Sequence, residues 1–429
     1  MRRRNLARLL LPHRRYNVYS GTATWSEWRE AVRIYPQTDS FEDEEQIQLY
    51  ETEFARITNT SSAFGFAAAR MGLYAILEAL AIGPGDEVVI PAFTCVVVPN
   101  AILYRGAKPV YLDIDPITFN IDVRKVEAAI TSKTRALYAQ HTFGLLCDVE
   151  GLNELGRKYG LPVIEDAALA LGARHNADPA GSLTEVAFFS SDYSKIINTQ
   201  LGGMVTTNNS ELAKRLDAVY ERTPFLPHSQ IRKLLQTFII QYPLLQPNSY
   251  WLGRSLYWLA DRMGLFFSFR DELSLEKPTE YPYPAKLSSV QARLGLSQLK
   301  GIEANLAHRR MIGLALESRI NWLGNILETA ATNHVFLRYS FLVKDRDAFV
   351  QRFKKHFDLA VWFTSIAHGR DRDLEDIGYR MGSCPIAEYV AQHIVNLPTH
   401  NRIDPSFLLA SVDNEQHFIS ENILRPDFA

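Results

Sequence analysis

The chain has 429 residues, of which 47% are hydrophobic and 22% charged, with a formal net charge of -2. That is the composition of a soluble globular protein with room for a large core, and so small a charge gives no ground for a nucleic-acid partner. Three cysteines, Cys95, Cys147 and Cys384, are an odd number without CxxC spacing, which supports neither a disulfide framework nor a zinc site and fits a reducing, cytoplasmic compartment.

In chain order, the first twelve residues are basic but lack an apolar core of signal-peptide length. No apolar run approaches the roughly 20 residues needed to span a bilayer. The N-terminus therefore reads as a basic arm, with weak attachment to an anionic surface as the alternative. Residues 1–45 read as an irregular extension over the surface. A helix is predicted over 44–57, with Ile47, Leu49, Tyr50 and Phe54 on its apolar side, and another over 67–82, stopped by Gly83-Pro84-Gly85-Asp86. Strands follow at 87–90, 109–113, 135–140 and 161–166, separated by helices near 96–104, 123–129 and 149–159. Near-continuous apolar strands alternating with helices predict a mainly parallel sheet covered on both faces. No repeat of 20–50 residues is visible.

A further buried strand, Val186-Ala187-Phe188-Phe189, leads into a polar turn that carries Ser190 and Lys195, and Gly202-Gly203 opens the next strand. A lysine held on such a turn is partly desolvated, which lowers its pKa and favours the neutral amine that Schiff-base chemistry requires. The alternative is a solvated loop lysine. Asp166 ends a separate apolar strand, where open α/β sheets place ligands. Its alternative role is to cap the next helix. Glu165, one residue earlier, points the other way.

After a helix over 210–221 the composition changes. Residues 224–280 are rich in aromatics and punctuated by prolines, and read as an insert of two or three short helices that packs on the body or a partner subunit. Membrane contact or a substrate lid are the alternatives. A long helix is predicted over 288–322. Strands near 335–343 and 359–362, with helices at 347–356 and 386–396, close the chain. The organisation is thus an extension (1–45), a large domain (46–223), an insert (224–280), and a long helix with a smaller C-terminal α/β domain (281–429).

Several separated motifs share one resemblance. Gly83-Pro84-Gly85-Asp86-Glu87-Val88-Val89-Ile90-Pro91, Gly106-Ala107-Lys108-Pro109-Val110, His141-Thr142-Phe143-Gly144, Glu165-Asp166-Ala167-Ala168, Ser190 with Lys195 and Gly202-Gly203, Gln291-Ala292-Arg293-Leu294-Gly295, and Asn396-Leu397-Pro398 occur in this order. The set, from about residue 45 to about 415, resembles the DegT/StrS family. These are aminotransferases of fold type I that depend on pyridoxal 5'-phosphate (PLP) and act mainly on keto nucleotide-sugars. The resemblance implies that Lys195 carries the cofactor as a Schiff base and moves the proton, that Asp166 pairs with the pyridine nitrogen, and that Ser190 binds the phosphate. The family's phosphate-binding Gly-Thr pair falls on Ala69-Arg70. Cys95 aligns with the aromatic that stacks on the ring, so Phe93 or another group is expected to substitute, and His141 aligns with a histidine near the site. A homodimer with a shared active site is implied, with Lys286 offered across the interface. The expected activity is amino transfer, from glutamate, to a nucleotide-activated sugar in cell-surface polysaccharide or secondary-metabolite biosynthesis, with no metal. A non-sugar or lipid-linked ketone, or a poorly catalytic binding protein of the same fold, are the alternatives. Lys195 argues against the family's dehydratase branch, which carries histidine there. Leu169, Cys95, Leu201 and Pro284-Ala285-Lys286 depart from the family's usual residues.

Overall fold

The computed structural model describes residues 14–425, apart from 19–20, 38–40, 268, 270–273, 330–331 and 360. The arginine-rich stretch at 1–13 lies outside the described residues.

The first helix is α1 (Trp25–Ile34), in a stretch expected to be irregular. Its signal was local: Thr24 and Glu27 form a capping box, each side chain satisfying the other's backbone N–H. Helix α2 (Glu44–Thr58) and strand β1 (Ser62–Phe66) lead to helix α3 (Ala69–Ala79). Then come β2 (Glu87–Pro91), α4 (Val97–Tyr104), β3 (Lys108–Leu112), α5 (Val123–Ala129), β4 (Thr134–Gln140), α6 (Val149–Tyr159) and β5 (Val163–Asp166). Strands β6 (Val186–Ser190) and β7 (Gly203–Thr207) are followed by α7 (Ser210–Glu221).

Seven strands make one sheet in the order β1-β7-β6-β5-β4-β2-β3. Within it β3, β2, β4, β5 and β6 are parallel, and β7 runs antiparallel to both β6 and β1. The central strands are apolar on both faces because helices cover both sides. Val88, Val89 and Ile90 are all buried, as are Val186, Ala187, Phe188 and Phe189.

The insert contains two helices, α8 (His228–Leu244) and α9 (Tyr250–Arg262). Helix α8 is held to α1: Trp28 Nε1 donates to the Ile239 carbonyl at 2.9 Å, and the Trp25 and Tyr242 rings meet at 4.9 Å. The predicted single helix over 288–322 is two, α10 (Ser289–Leu299) and α11 (Ile302–Ile320), because the chain leaves helical geometry at Gly301.

The C-terminal portion pairs β8 (Arg338–Leu342) antiparallel with β9 (Ile394–Pro398) and packs them under α12 (Arg346–Phe353), α13 (Pro385–His393), α14 (Pro405–Asn414) and α15 (Gln416–Asn422). The end of the helix expected over 386–396 is strand β9. The strand expected over 359–362 is a two-residue bridge at Phe357–Asp358, paired with Tyr16–Asn17, and residue 360 lies outside the described residues. A second short pairing, Thr94–Cys95 with Ala367–His368, brings the C-terminal portion to the edge of the large sheet's ligand end. Among the described residues no helix is long and apolar enough to cross a membrane.

Candidate active site

The site forms at the C-terminal ends of β5 and β6, where parallel strands stop and their backbones open a crevice. Asp166 is the last residue of β5 and is buried. Its Oδ2 accepts from the Tyr138 hydroxyl at 2.7 Å, and its Oδ1 accepts from the Ala168 N–H at 3.0 Å. Burial pushes the Asp166 pKa up, and these two hydrogen bonds and the nearby Lys195 oppose that rise. Glu165 faces the other side of the strand, where it accepts from the Gly181 N–H at 2.7 Å.

Lys195 sits in the loop joining β6 to β7. Backbone bonds close that loop: Ser191 N–H to Gly202 O at 3.0 Å, Thr199 N–H to Ser191 O at 2.8 Å, and Lys195 N–H to Asp192 O at 3.0 Å. The Lys195 carbonyl accepts from Thr22 Oγ1 at 2.7 Å. Helix α10 braces the loop from outside, since Gln298 both accepts from the Asn198 N–H and donates to its carbonyl. The lysine is 8% exposed, and its Nζ lies 4.4 Å from the centre of the Trp362 ring. Its pKa falls to about 8. Burial is the main cause, Asp192 and Asp166 act against it, and the Arg338 guanidinium adds to it.

Helix α3 begins at the same crevice. Its N-cap is Ala68, which offers no side-chain hydrogen bond, so the first turn is uncapped by the protein. Strand β7 approaches this helix start so closely that a Cβ on Gly203 would lie 2.5 Å from the Ala69 backbone. Gly202, at φ +155°, leaves room for the Ser191 and Thr199 hydroxyls. The Gly202-Gly203 pair is therefore what lets strand and helix end share one wall.

These elements enclose a cavity of about 330 Å³. Six of the sequence-predicted residues line it: Ala69, Arg70, Cys95, Asp166, Ser190 and Lys195. Asp192, Leu201, Trp362 and His368 line it as well. Two predicted residues do not reach it. His141 is fully buried behind β5. Its Nδ1 accepts from the Cys147 N–H at 3.2 Å, so Nε2 carries the proton and donates to Glu165 at 3.1 Å. It is tied to the face of β5 that Glu165 occupies, away from the crevice. Lys286 lies over the Tyr220 ring at 4.6 Å, outside the cavity of its own chain. Phe93, expected as one candidate for the stacking aromatic, does not line the cavity. It is buried against Phe363 and Phe143, and the aromatic side chains that line the cavity are Phe188, Tyr193 and Trp362. Leu169 is buried in the core rather than on the cavity wall.

Tyr138, Asp192, Trp362, His368 and Arg338 went unmarked in the sequence. For Tyr138 a signal existed: Gln140 is opposite Asp166 in the β4–β5 register, so Tyr138, two residues back, shares its face. Trp362, His368 and Arg338 come from the C-terminal portion, and no local pattern ties them to Lys195.

A family model described as the DegT/DnrJ/EryC1/StrS aminotransferase family matches residues 24–223 and 270–408. The chain belongs to this family. This aminotransferase is 30% identical over 370 residues to the GDP-perosamine synthase of Caulobacter vibrioides, a match that covers 82% of this chain and 85% of that relative. A shorter stretch of 172 residues is 40% identical to the UDP-N-acetyl-3-dehydro-alpha-D-glucosamine 3-aminotransferase of Acidithiobacillus ferrooxidans, covering 40% of this chain and 47% of that one. Among solved structures, the aminotransferase from Psychrobacter cryohalolentis superposes with a TM-score of 0.71 at 21% identity, over 94% of this chain and 99% of that one. The fold is the α/β fold of the PLP-dependent aminotransferases.

Proposed function

We propose that this aminotransferase moves an amino group from an amino acid, glutamate, to a keto group of a nucleotide-activated sugar, using PLP bound in the cavity at Lys195. The substrate class rests on the two curated relatives, whose names specify nucleotide-sugars. The observation that carries the reading is a buried lysine with a lowered pKa and a buried aspartate lining one cavity.

The residues present fit the cofactor. The uncapped start of α3, at Ala69 and Arg70, and the Ser190 hydroxyl offer donors to a phosphate. Asp166 would hold a proton on the ring nitrogen, and a cation there would offset the burial that now raises its pKa. Cys95 and Trp362 would wall the ring. Bound PLP would supply the electron sink that stabilises negative charge on the substrate carbon. Lys195 Nζ, with a substantial neutral fraction near pH 8, would attach the cofactor and then carry the proton to and from that carbon. A homodimer belongs to the same reading, with Lys286 offered to the partner's site. The three cysteines are free, which suits the reducing cytoplasm, the compartment we assign.

The test is amination of a panel of keto nucleotide-sugars by the purified holoenzyme with glutamate, read as 2-oxoglutarate formed. Turnover is expected with at least one sugar and should fall on the order of a thousandfold in Lys195→Ala. Silence across the panel, with a cyclitol or lipid-linked ketone aminated instead, would overturn the substrate class. Native protein without bound cofactor would overturn the enzyme reading.

A further inference from the structure

The geometry points to Arg309 as the positioning residue of the lysine loop, acting through Thr22 and Asn305 on the carbonyls of Lys195 and Ile196. The inference rests on the reading of Lys195 as the residue that attaches PLP. Arg309 is buried in α11. Its hydrogen bonds run to Asn305 Oδ1 at 3.0 Å, Thr22 Oγ1 at 2.9 Å, the Leu337 carbonyl at 3.1 Å and Thr399 Oγ1 at 3.4 Å. None of these partners is charged. Burial and the neighbouring Arg338 pull the Arg309 pKa down to about 9, so it remains a cation at neutral pH. A buried cation that faces only neutral acceptors costs stability, which argues for a role beyond holding the fold together.

Two of those partners hand the interaction on. A threonine hydroxyl has one proton. Because Thr22 Oγ1 accepts from the guanidinium, its proton goes to the Lys195 carbonyl, 2.7 Å away. Asn305 likewise turns its oxygen to the guanidinium and therefore its Nδ2 to the Ile196 carbonyl, at 2.7 Å. One cation thus orients two donors, and the donors pin two successive carbonyls. That fixes the backbone at Lys195 and with it the direction in which the lysine side chain leaves the loop. The Leu337 contact reaches the amine from its other end. Arg338, the next residue, lies over the Trp362 ring at 4.1 Å, the ring that Lys195 Nζ meets at 4.4 Å. Thr22 is itself held in place. Asn401 Nδ2 donates to its carbonyl at 3.1 Å, and a Cβ on Gly21 would lie 1.9 Å from the His400 ring, so only glycine brings the strap this close. The family model matches from residue 24 onward. Thr22 is therefore an addition to the matched body, whereas Asn305 and Arg309 lie within it.

The variants Thr22→Val and Asn305→Asp each remove one donor, and the second keeps an acceptor for Arg309, so the buried cation stays satisfied. Two readouts are taken on the full-length protein. In the holoenzyme, kcat should fall on the order of tenfold in both variants while KM for glutamate stays within about twofold, because the proton carrier is displaced and the donor site is not. In protein stripped of PLP and remixed with it, the pH midpoint of uptake should move from near 8 toward about 9, as a loosened loop lets water back to the amine. Thr22→Ser, which keeps the hydroxyl, should restore both values. A lowered melting temperature with kcat and midpoint unchanged would overturn the inference, since the contacts would then only stabilise the fold. So would a Thr22→Ser variant as impaired as Thr22→Val. If Thr22→Val does not fold, Asn305→Asp decides by the same two readouts. Lys195→Ala separates this inference from the reading beneath it. If that variant takes up PLP with the wild-type visible band, the role of Lys195 falls and the brace with it. If Lys195→Ala loses the band while Thr22→Val and Asn305→Asp behave as wild type, only the brace falls.

Discussion

At the scale of single residues, Lys195 shows how burial sets chemistry. Its pKa of about 8, against 10.5 for an ordinary lysine, comes mainly from desolvation and is helped by Arg338. The uptake of PLP by apoprotein should therefore accelerate with pH through a midpoint near 8, and Arg338→Gln should move that midpoint upward. Rapid-mixing absorbance would measure both, and a midpoint at or above 10 would contradict the account. The same shift costs stability. Below about pH 8 both native and unfolded chains hold the proton and burial penalises the native one. Between about 8 and 10.5 only the unfolded chain holds it, so the penalty fades as pH rises.

At the scale of elements, α10 organises the cavity without lining it. Ser288 and Gln291 form the capping box that starts this helix. Gln291 Nε2 also donates to the Leu201 carbonyl at 2.5 Å and to the Ala67 carbonyl at 3.3 Å. One amide thus joins the lysine loop to Ala67, two residues before helix α3 begins. Gln291→Leu leaves two buried carbonyls without this donor and removes half of the cap. It should cost about 2–4 kcal/mol in denaturant unfolding and weaken PLP retention along with stability. A stability loss with cofactor affinity untouched would show that the bridge does not position the site. The Gln291-Ala292-Arg293-Leu294-Gly295 motif was legible in the sequence, but its role as a brace was not. The partners of Gln291 lie 90 and 224 residues away.

At the scale of the whole molecule, the C-terminal portion holds buried, uncharged histidines, and one of them, His400, ties it to the N-terminal stretch at Asn17. Burial pulls the pKa of His334 down to about 4 and that of His400 to about 3. His400 Nε2 meets the Asn17 carbonyl at 2.6 Å, and His334 Nδ1 accepts from the Phe336 N–H at 3.2 Å. Folded pKa values below the unfolded 6.5 mean that the unfolded chain takes up protons first. Their contribution to stability is complete above about pH 6.5 and is lost as pH falls toward 4, on the order of 3 kcal/mol for each. Calorimetry should find a melting temperature that drops by several degrees between pH 6.5 and 5, above the ordinary carboxylate range. A flat profile there would show that these histidines are not held neutral.

The sequence by itself determined the strand–helix alternation of the large sheet, the positions of Asp166 and Lys195 at strand ends, and the glycine pair beside them. These are local patterns, set by periodicity and turn chemistry within a few residues. It also carried the family's motifs in order, and with them the fold class. Only the tertiary structure decided which side chains meet Lys195. Trp362 reaches it, with Arg338 over the same ring, because the C-terminal portion pairs Ala367–His368 against Thr94–Cys95, a contact between residues 273 positions apart. The same long-range packing set His141 behind the sheet and kept Lys286 out of its own cavity. Register and docking of distant elements are set by the sum of many buried contacts, and no short window of sequence contains that sum.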